Sequence, residues 1–114
     1  NQIVRGLDIL PLTIPQMVIA DYLNFQPIKQ YYHLPILVNA QGQKLSKQTL
    51  AEPIHSYPAP QLIKTALQLL QQPPIDMDKP TTLLDQAVCQ WNHTPLQGKQ
   101  RIKVDSLQNL LASR

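Results

Sequence analysis

Apolar residues recur at helical spacing in four places along the chain. Ile14, Met17, Val18 and Tyr22 stand three, four and eight positions apart from the first, which places them on one face of an α-helix and predicts that this face enters a core. Thr13 and Gln16 have the spacing of a capping box, and Pro15 suits a first turn. Leu62, Ile63, Ala66, Leu67 and Leu70 form a second stripe, beginning near Pro60 and stopped by Pro73 and Pro74. Leu84, Ala87, Val88 and Trp91 fall at i, i+3, i+4 and i+7 and predict a third helix, with Thr82 and Asp85 as its cap. Leu107, Leu110 and Leu111, after a possible N-cap at Asp105, predict a short fourth. Two apolar runs lack that period. Ile3 and Val4 end a strand that turns at Gly6, and Leu34 to Asn39 reads as a strand buried on both faces. Asn24 to Tyr32 holds turn formers and aromatics, Gln41 and Gly42 turn the chain, and Gln43 to Gln48 is a polar, basic loop.

Composition narrows this picture. The 114 residues, 43% of them hydrophobic, can bury one modest core without disulfides or metal. The single cysteine, Cys89, excludes an internal disulfide, and no apolar run approaches the roughly 20 residues of a membrane helix. A cytoplasmic chain without membrane contact is expected. Eleven prolines against three glycines suit helices joined by stiff loops. A net charge of +3 tolerates a polyanion without forming a dense basic block. The start at Asn1, without Met and without a signal peptide, reads as a cut through a larger protein.

The loop carries the most suggestive chemistry. Lys44 and Lys47 lie three apart after an expected buried strand and a turn, so both ammonium groups can reach one polyphosphate. Taken alone, such a pair is an ordinary solvated surface feature. It does not stand alone. Val4-Arg5-Gly6-Leu7-Asp8, Thr13-Ile14-Pro15-Gln16, His33-Leu34-Pro35-Ile36-Leu37 and Gly42-Gln43-Lys44-Leu45-Ser46-Lys47-Gln48 occur in one order across residues 4–48. Together they resemble the second half of a class I glutamyl-tRNA synthetase catalytic domain.

The resemblance implies an α/β fold: residues 1–52 as the carboxy-terminal half of a Rossmann-like catalytic domain, and residues 53–114 as a mostly helical tail. Lys44 to Gln48 match the family's Lys-Met-Ser-Lys-Ser loop, with Leu45 for Met and Gln48 in the last place. It implies that Lys47 and Lys44 are catalytic, that Lys44, Ser46 and Lys47 bind ATP, magnesium accompanying it, and that Arg5 of the Val-Arg-Gly motif holds glutamate. Charge stabilisation by Lys47 as pyrophosphate leaves would be a large catalytic term. Gln48, where ordinary family members carry arginine, and the short remainder 49–114 favour the glutamyl-queuosine tRNA(Asp) synthetase branch. The implied activity is ATP-dependent activation of glutamate and its transfer to queuosine in the tRNA(Asp) anticodon. The His-Ile-Gly-His-type motif, most glutamate contacts and the zinc site would lie in a missing amino-terminal half, so this chain alone should be inactive and hold no metal.

Other readings compete at single residues. His33 reads as a packed, hydrogen-bonded histidine, and Asp8 as a cap or a partner for Arg5. Cys89 and His93 share i, i+4 spacing, but two ligands do not close a zinc site. Trp91 reads as core rather than as a stacking platform, because stacking needs an exposed ring beside a basic groove. The alternatives for the whole chain are a fragment of an ordinary glutamyl-tRNA synthetase and a non-catalytic RNA- or protein-binding helical module. An enzyme fragment predicts an unfinished, apolar sheet edge around Ile3, Val4 and Ile36 to Val38; a module predicts a covered, polar one.

Overall fold

The computed structural model describes residues 1–46, 53–105 and 107–112. It is a mixed α/β arrangement with two short parallel strand pairs. Strand β1 (Gln2–Gly6) pairs with β2 (Gln30–Leu34), and β3 (Ile36–Val38) pairs with β4 (Arg101–Lys103). Between β1 and β2 run a 3-10 helix, Leu7–Leu12, and helix α1 (Thr13–Tyr22). Helices α2 (Ala59–Leu69) and α3 (Pro80–Gln90) precede β4, and α4 (Leu107–Ala112) follows it.

The continuous strand expected from Leu34 to Asn39 is instead broken at Pro35. Proline has no N–H to give a ladder, and the chain changes neighbours there, leaving β1 and joining β4. The strand also begins earlier than the sequence reading, at Gln30, inside the stretch taken as turn and loop. The turn at Gln41 and Gly42 is present: Asn39 Oδ1 accepts from the backbone N–H of Gln41 and Gln43, and Gly42 takes φ +80. That φ is cheap only for glycine.

The core lies in the second half. Leu67 from α2, Ile75, and Leu83 and Ala87 from α3 bury one another, with Ile63 and Met77 packed against them. The stripe expected on α2 is therefore partly correct, contributing Leu67 and Ile63. On α3 the expected Ala87 is buried, but Leu83 faces inward with it, whereas Leu84, Val88 and Trp91 are exposed. Trp91, expected in the core, is 44% exposed. Pro80 occupies the first turn after an N-cap at Lys79 with no side-chain cap bond, so Thr82 and Asp85 do not begin this helix. Leu111 of α4 is buried, as its spacing suggested.

Helix α1 departs further from expectation. None of its residues is buried, and Ile14, Met17, Val18 and Tyr22 all face solvent. The sheet edges divide likewise. Val4 is 62% exposed, whereas Val38, in β3 beside β4, is 1% exposed. The apolar edge expected of an enzyme fragment is thus present at β1 and covered at β3.

Candidate functional site

In the β1–β2 ladder Arg5 stands opposite His33, so their side chains emerge side by side on one face. Arg5 Nε donates to His33 Nε2 at 3.1 Å, Nη1 donates to Gln16 Oε1, and Nη2 donates to Thr13 Oγ1 at 2.6 Å. The guanidinium carbon lies 5.3 Å from the centre of the Tyr31 ring, within cation–π range. Tyr31 in turn stacks on His33, with centroids 6.4 Å apart and planes 11° from parallel. Because His33 Nε2 accepts from Arg5, the ring carries its proton on Nδ1.

This network overturns the capping box. Helix α1 has Leu12 at its N-cap and no side-chain cap bond; Thr13 and Gln16 bind the guanidinium instead. A hydrogen bond to a charged donor is roughly twice as strong as a neutral one, and the spacing that suits a cap also puts both side chains on the turn facing β1. The structure also supplies the partner that sequence proximity did not reveal for His33, namely Arg5.

All four groups around Arg5 are uncharged side chains or an aromatic face, and among the described residues no carboxylate pairs with it. A surface salt bridge therefore does not explain Arg5. Three of the five guanidinium N–H groups are used, leaving two for a ligand. A half-buried, anchored cation with two spare donors is suited to one carboxylate.

Beyond β1, Asp8 turns toward the loop. Its carboxylate pairs with the Lys44 ammonium rather than with Arg5. The hydrogen bond from Lys44, reinforced by its charge, holds the Asp8 carboxyl below its ordinary value. Gly6 makes room for this: a Cβ there would lie 2.5 Å from Asp8 Oδ1. Lys44 is also held by its backbone, forming an antiparallel bridge with Val38, and the N–H of Leu45 donates to Leu37 at 2.9 Å. The start of the loop thus has a fixed register against β3 and a side-chain tie to the end of β1. Ser46 continues this segment; Lys47 and Gln48 lie outside the described residues. His93 lies beyond the end of α3 at Gln90, so the helical i, i+4 relation to Cys89 does not hold.

No family model matches the chain. Individual proteins do. It is 46% identical over 101 residues to the glutamyl-Q tRNA(Asp) synthetase of Acinetobacter baylyi, covering 87% of this chain and 34% of that protein. The glutamyl-Q tRNA(Asp) synthetase of Neisseria meningitidis serogroup B is 44% identical over 93 residues, or 81% of this chain and 31% of the relative. The chain belongs with this family, as its carboxy-terminal part. A glutamyl-Q tRNA(Asp) synthetase from Methylococcus capsulatus extends the match to 94% of the chain at 35% identity, covering 36% of that protein. The chain therefore spans about a third of the length of the family members it matches. No helix among the described residues is long and apolar enough to cross a membrane.

Proposed function

We propose that the chain is the carboxy-terminal part of an ATP-dependent ligase that activates glutamate and transfers it to queuosine in the anticodon of tRNA(Asp). Its likeness to family members bearing that synthetase name supports the tRNA partner. The observation that carries the chemistry is Arg5, a cation anchored by Thr13, Gln16 and His33 with no carboxylate among the described residues to neutralise it. In this reading Arg5 presents its two spare N–H groups to a glutamate carboxylate. The Lys44–Lys47 loop, tied at Asp8, brings its ammonium groups and the Ser46 hydroxyl to the ATP polyphosphate, with magnesium as counter-ion.

In activation, a glutamate carboxylate oxygen bonds to the α-phosphorus of ATP while the bond to the departing pyrophosphate breaks. Negative charge grows on the leaving group, and a lysine placed there stabilises the transition state more than the ground state. Queuosine then takes the glutamyl group and AMP leaves. The remaining parts of the active site belong, in this proposal, to the rest of a longer protein, since the relatives are about three times the length of the match.

The test is ATP-dependent incorporation of labelled glutamate into queuosine-containing tRNA(Asp) by the full-length protein that carries this chain. Wild type should be active. Lys47→Ala should lower the rate by roughly 10²-fold or more, the scale of a lost transition-state charge contact. Charging of the acceptor end of tRNA(Glu) instead would assign an ordinary glutamyl-tRNA synthetase, and neither reaction would leave a binding module.

A further inference from the structure

Side chains of β1 and β2 that alternate with Arg5 and Tyr31, together with His33 of the Arg5 network, line a cleft of about 640 Å³ whose other side is formed by Trp91, His93 and residues 96–100. That volume lies within the usual range for a small-ligand site. The strand pair contributes Val4 and Tyr32; the facing segment contributes Trp91, His93 and Lys99. Two aromatic rings in this lining are open to solvent, Trp91 at 44% and Tyr32 at 43%. The lining contains no aspartate or glutamate, and its formal charge comes from Lys99.

Trp91 is not exposed because its backbone is loose. Gln72, 8% exposed, receives the Asn92 N–H at Oε1 (2.9 Å) and donates from Nε2 to the Asn92 carbonyl (2.8 Å). A nearly buried amide thus clamps the residue after Trp91, and the Trp91 N–H is itself bonded to the Val88 carbonyl. Farther along, the Lys99 N–H is bonded to Leu96. An indole on a fixed backbone and open to solvent offers a flat stacking face at reduced ordering cost, and every nucleobase has a face to match it.

We propose that this cleft binds one unpaired nucleotide of an RNA, its base stacked on Trp91 and its phosphate beside Lys99. For the identity of the RNA, tRNA(Asp), this rests on the function proposed above. The absence of carboxylates from the lining favours an anion over a peptide or a cation, and the aromatic rings favour a base over inorganic phosphate.

The experiment measures binding of a labelled tRNA(Asp) anticodon stem–loop to the full-length protein by fluorescence anisotropy, without ATP or glutamate. Trp91→Ala should weaken binding roughly 5- to 150-fold, the range for loss of one base–aromatic stack, and Trp91→Phe should restore most of it. Lys99→Gln should weaken binding and flatten its salt dependence by about one counter-ion, which keeps the proposal testable should Trp91→Ala unfold. Wild-type affinity in Trp91→Ala and Lys99→Gln overturns it. So does a raised KM for ATP with unchanged RNA affinity, which would assign the cleft to a free nucleotide. A wild-type protein that binds the stem–loop but incorporates no glutamate sinks the catalytic reading and leaves the cleft standing. An active protein whose Trp91→Ala variant binds normally does the reverse.

Discussion

Two neighbouring leucines on α3 give opposite predictions under the two faces considered for that helix. Leu83 is 0% exposed and packs with Leu67, Ile75 and Ala87, with Ile63 and Met77 against that group. Leu83→Ala removes three carbons, roughly 2 kcal/mol of transfer free energy at about 0.8 kcal/mol per methylene. The cavity left behind raises the cost, and large-to-small changes of this kind span about 2–5 kcal/mol. Ala87 is too short to collapse into the space, which argues for the upper half of that range. Leu84 is 49% exposed; Leu84→Ala loses about half the transfer term and opens no enclosed cavity, so about 1 kcal/mol is expected. Urea unfolding followed by far-ultraviolet circular dichroism measures both. The midpoint should fall clearly more for Leu83→Ala, at unchanged slope. Equal losses, or a larger loss for Leu84→Ala, would return the inward face to Leu84 and Val88 and refute the packing described here.

Two further predictions concern the junction of β1 with the loop. The Asp8 carboxyl is held below its ordinary value of 3.8 in the folded chain; its pairing with Lys44 therefore contributes stability above that pH and loses it as pH falls through the lowered folded value. Asp8→Asn should flatten the acid limb of stability, read as urea midpoints between about pH 5 and pH 2, and an unchanged acid limb would contradict the pairing. Gly6→Ala is compatible with the backbone, since Gly6 has φ −70, but the new Cβ would meet Asp8 Oδ1 at 2.5 Å. The Asp8 side chain should swing away and its carboxyl return toward the ordinary value, observable by carboxyl-carbon NMR titration.

The candidate residues Arg5 and Lys44 were legible in the sequence, but the contacts they make were not. Arg5 and Lys44 stand out by residue type, order and flanking glycine, all local properties. That Thr13 and Gln16 serve Arg5 rather than the helix end was hidden, because one spacing satisfies both uses and only the approach of β1 decides between them. The face of α3 was ambiguous for a related reason. Leu83 and Ala87 have the same four-residue separation as Leu84 and Val88, so periodicity alone offers two adjacent stripes. Strand β4 left no signal at all: Ile102 is its one apolar residue, flanked by Arg101 and Lys103, and it is extended because β3 has an open edge to pair with. The break at Pro35 was legible in principle from proline's missing N–H.

Burial is distributed unevenly, and this bears on how the site is held. Eleven of the exposed large hydrophobics lie between Val4 and Tyr32, whereas every buried hydrophobic among the described residues is at Val38 or beyond. Parallel strands normally occur with both faces covered, yet β1 and β2 carry Val4 and Tyr32 open to solvent and α1 presents Ile14, Met17 and Val18 to water. Without core burial, the attachment of α1 to the strand pair rests heavily on the two bonds that Arg5 makes to Thr13 and Gln16. Arg5 is then a strut as well as a presented charge, so under the proposed function its removal acts on position and on ligand together. The relatives, about three times as long as the matched segment, have the additional chain needed to cover an apolar surface of this kind. Covering α1 would also withdraw water from Arg5, and an uncompensated cation attracts a carboxylate more strongly as the surrounding dielectric falls. The same exposed surface that leaves this part weakly packed is therefore where further packing would strengthen the hold proposed for Arg5 on a carboxylate.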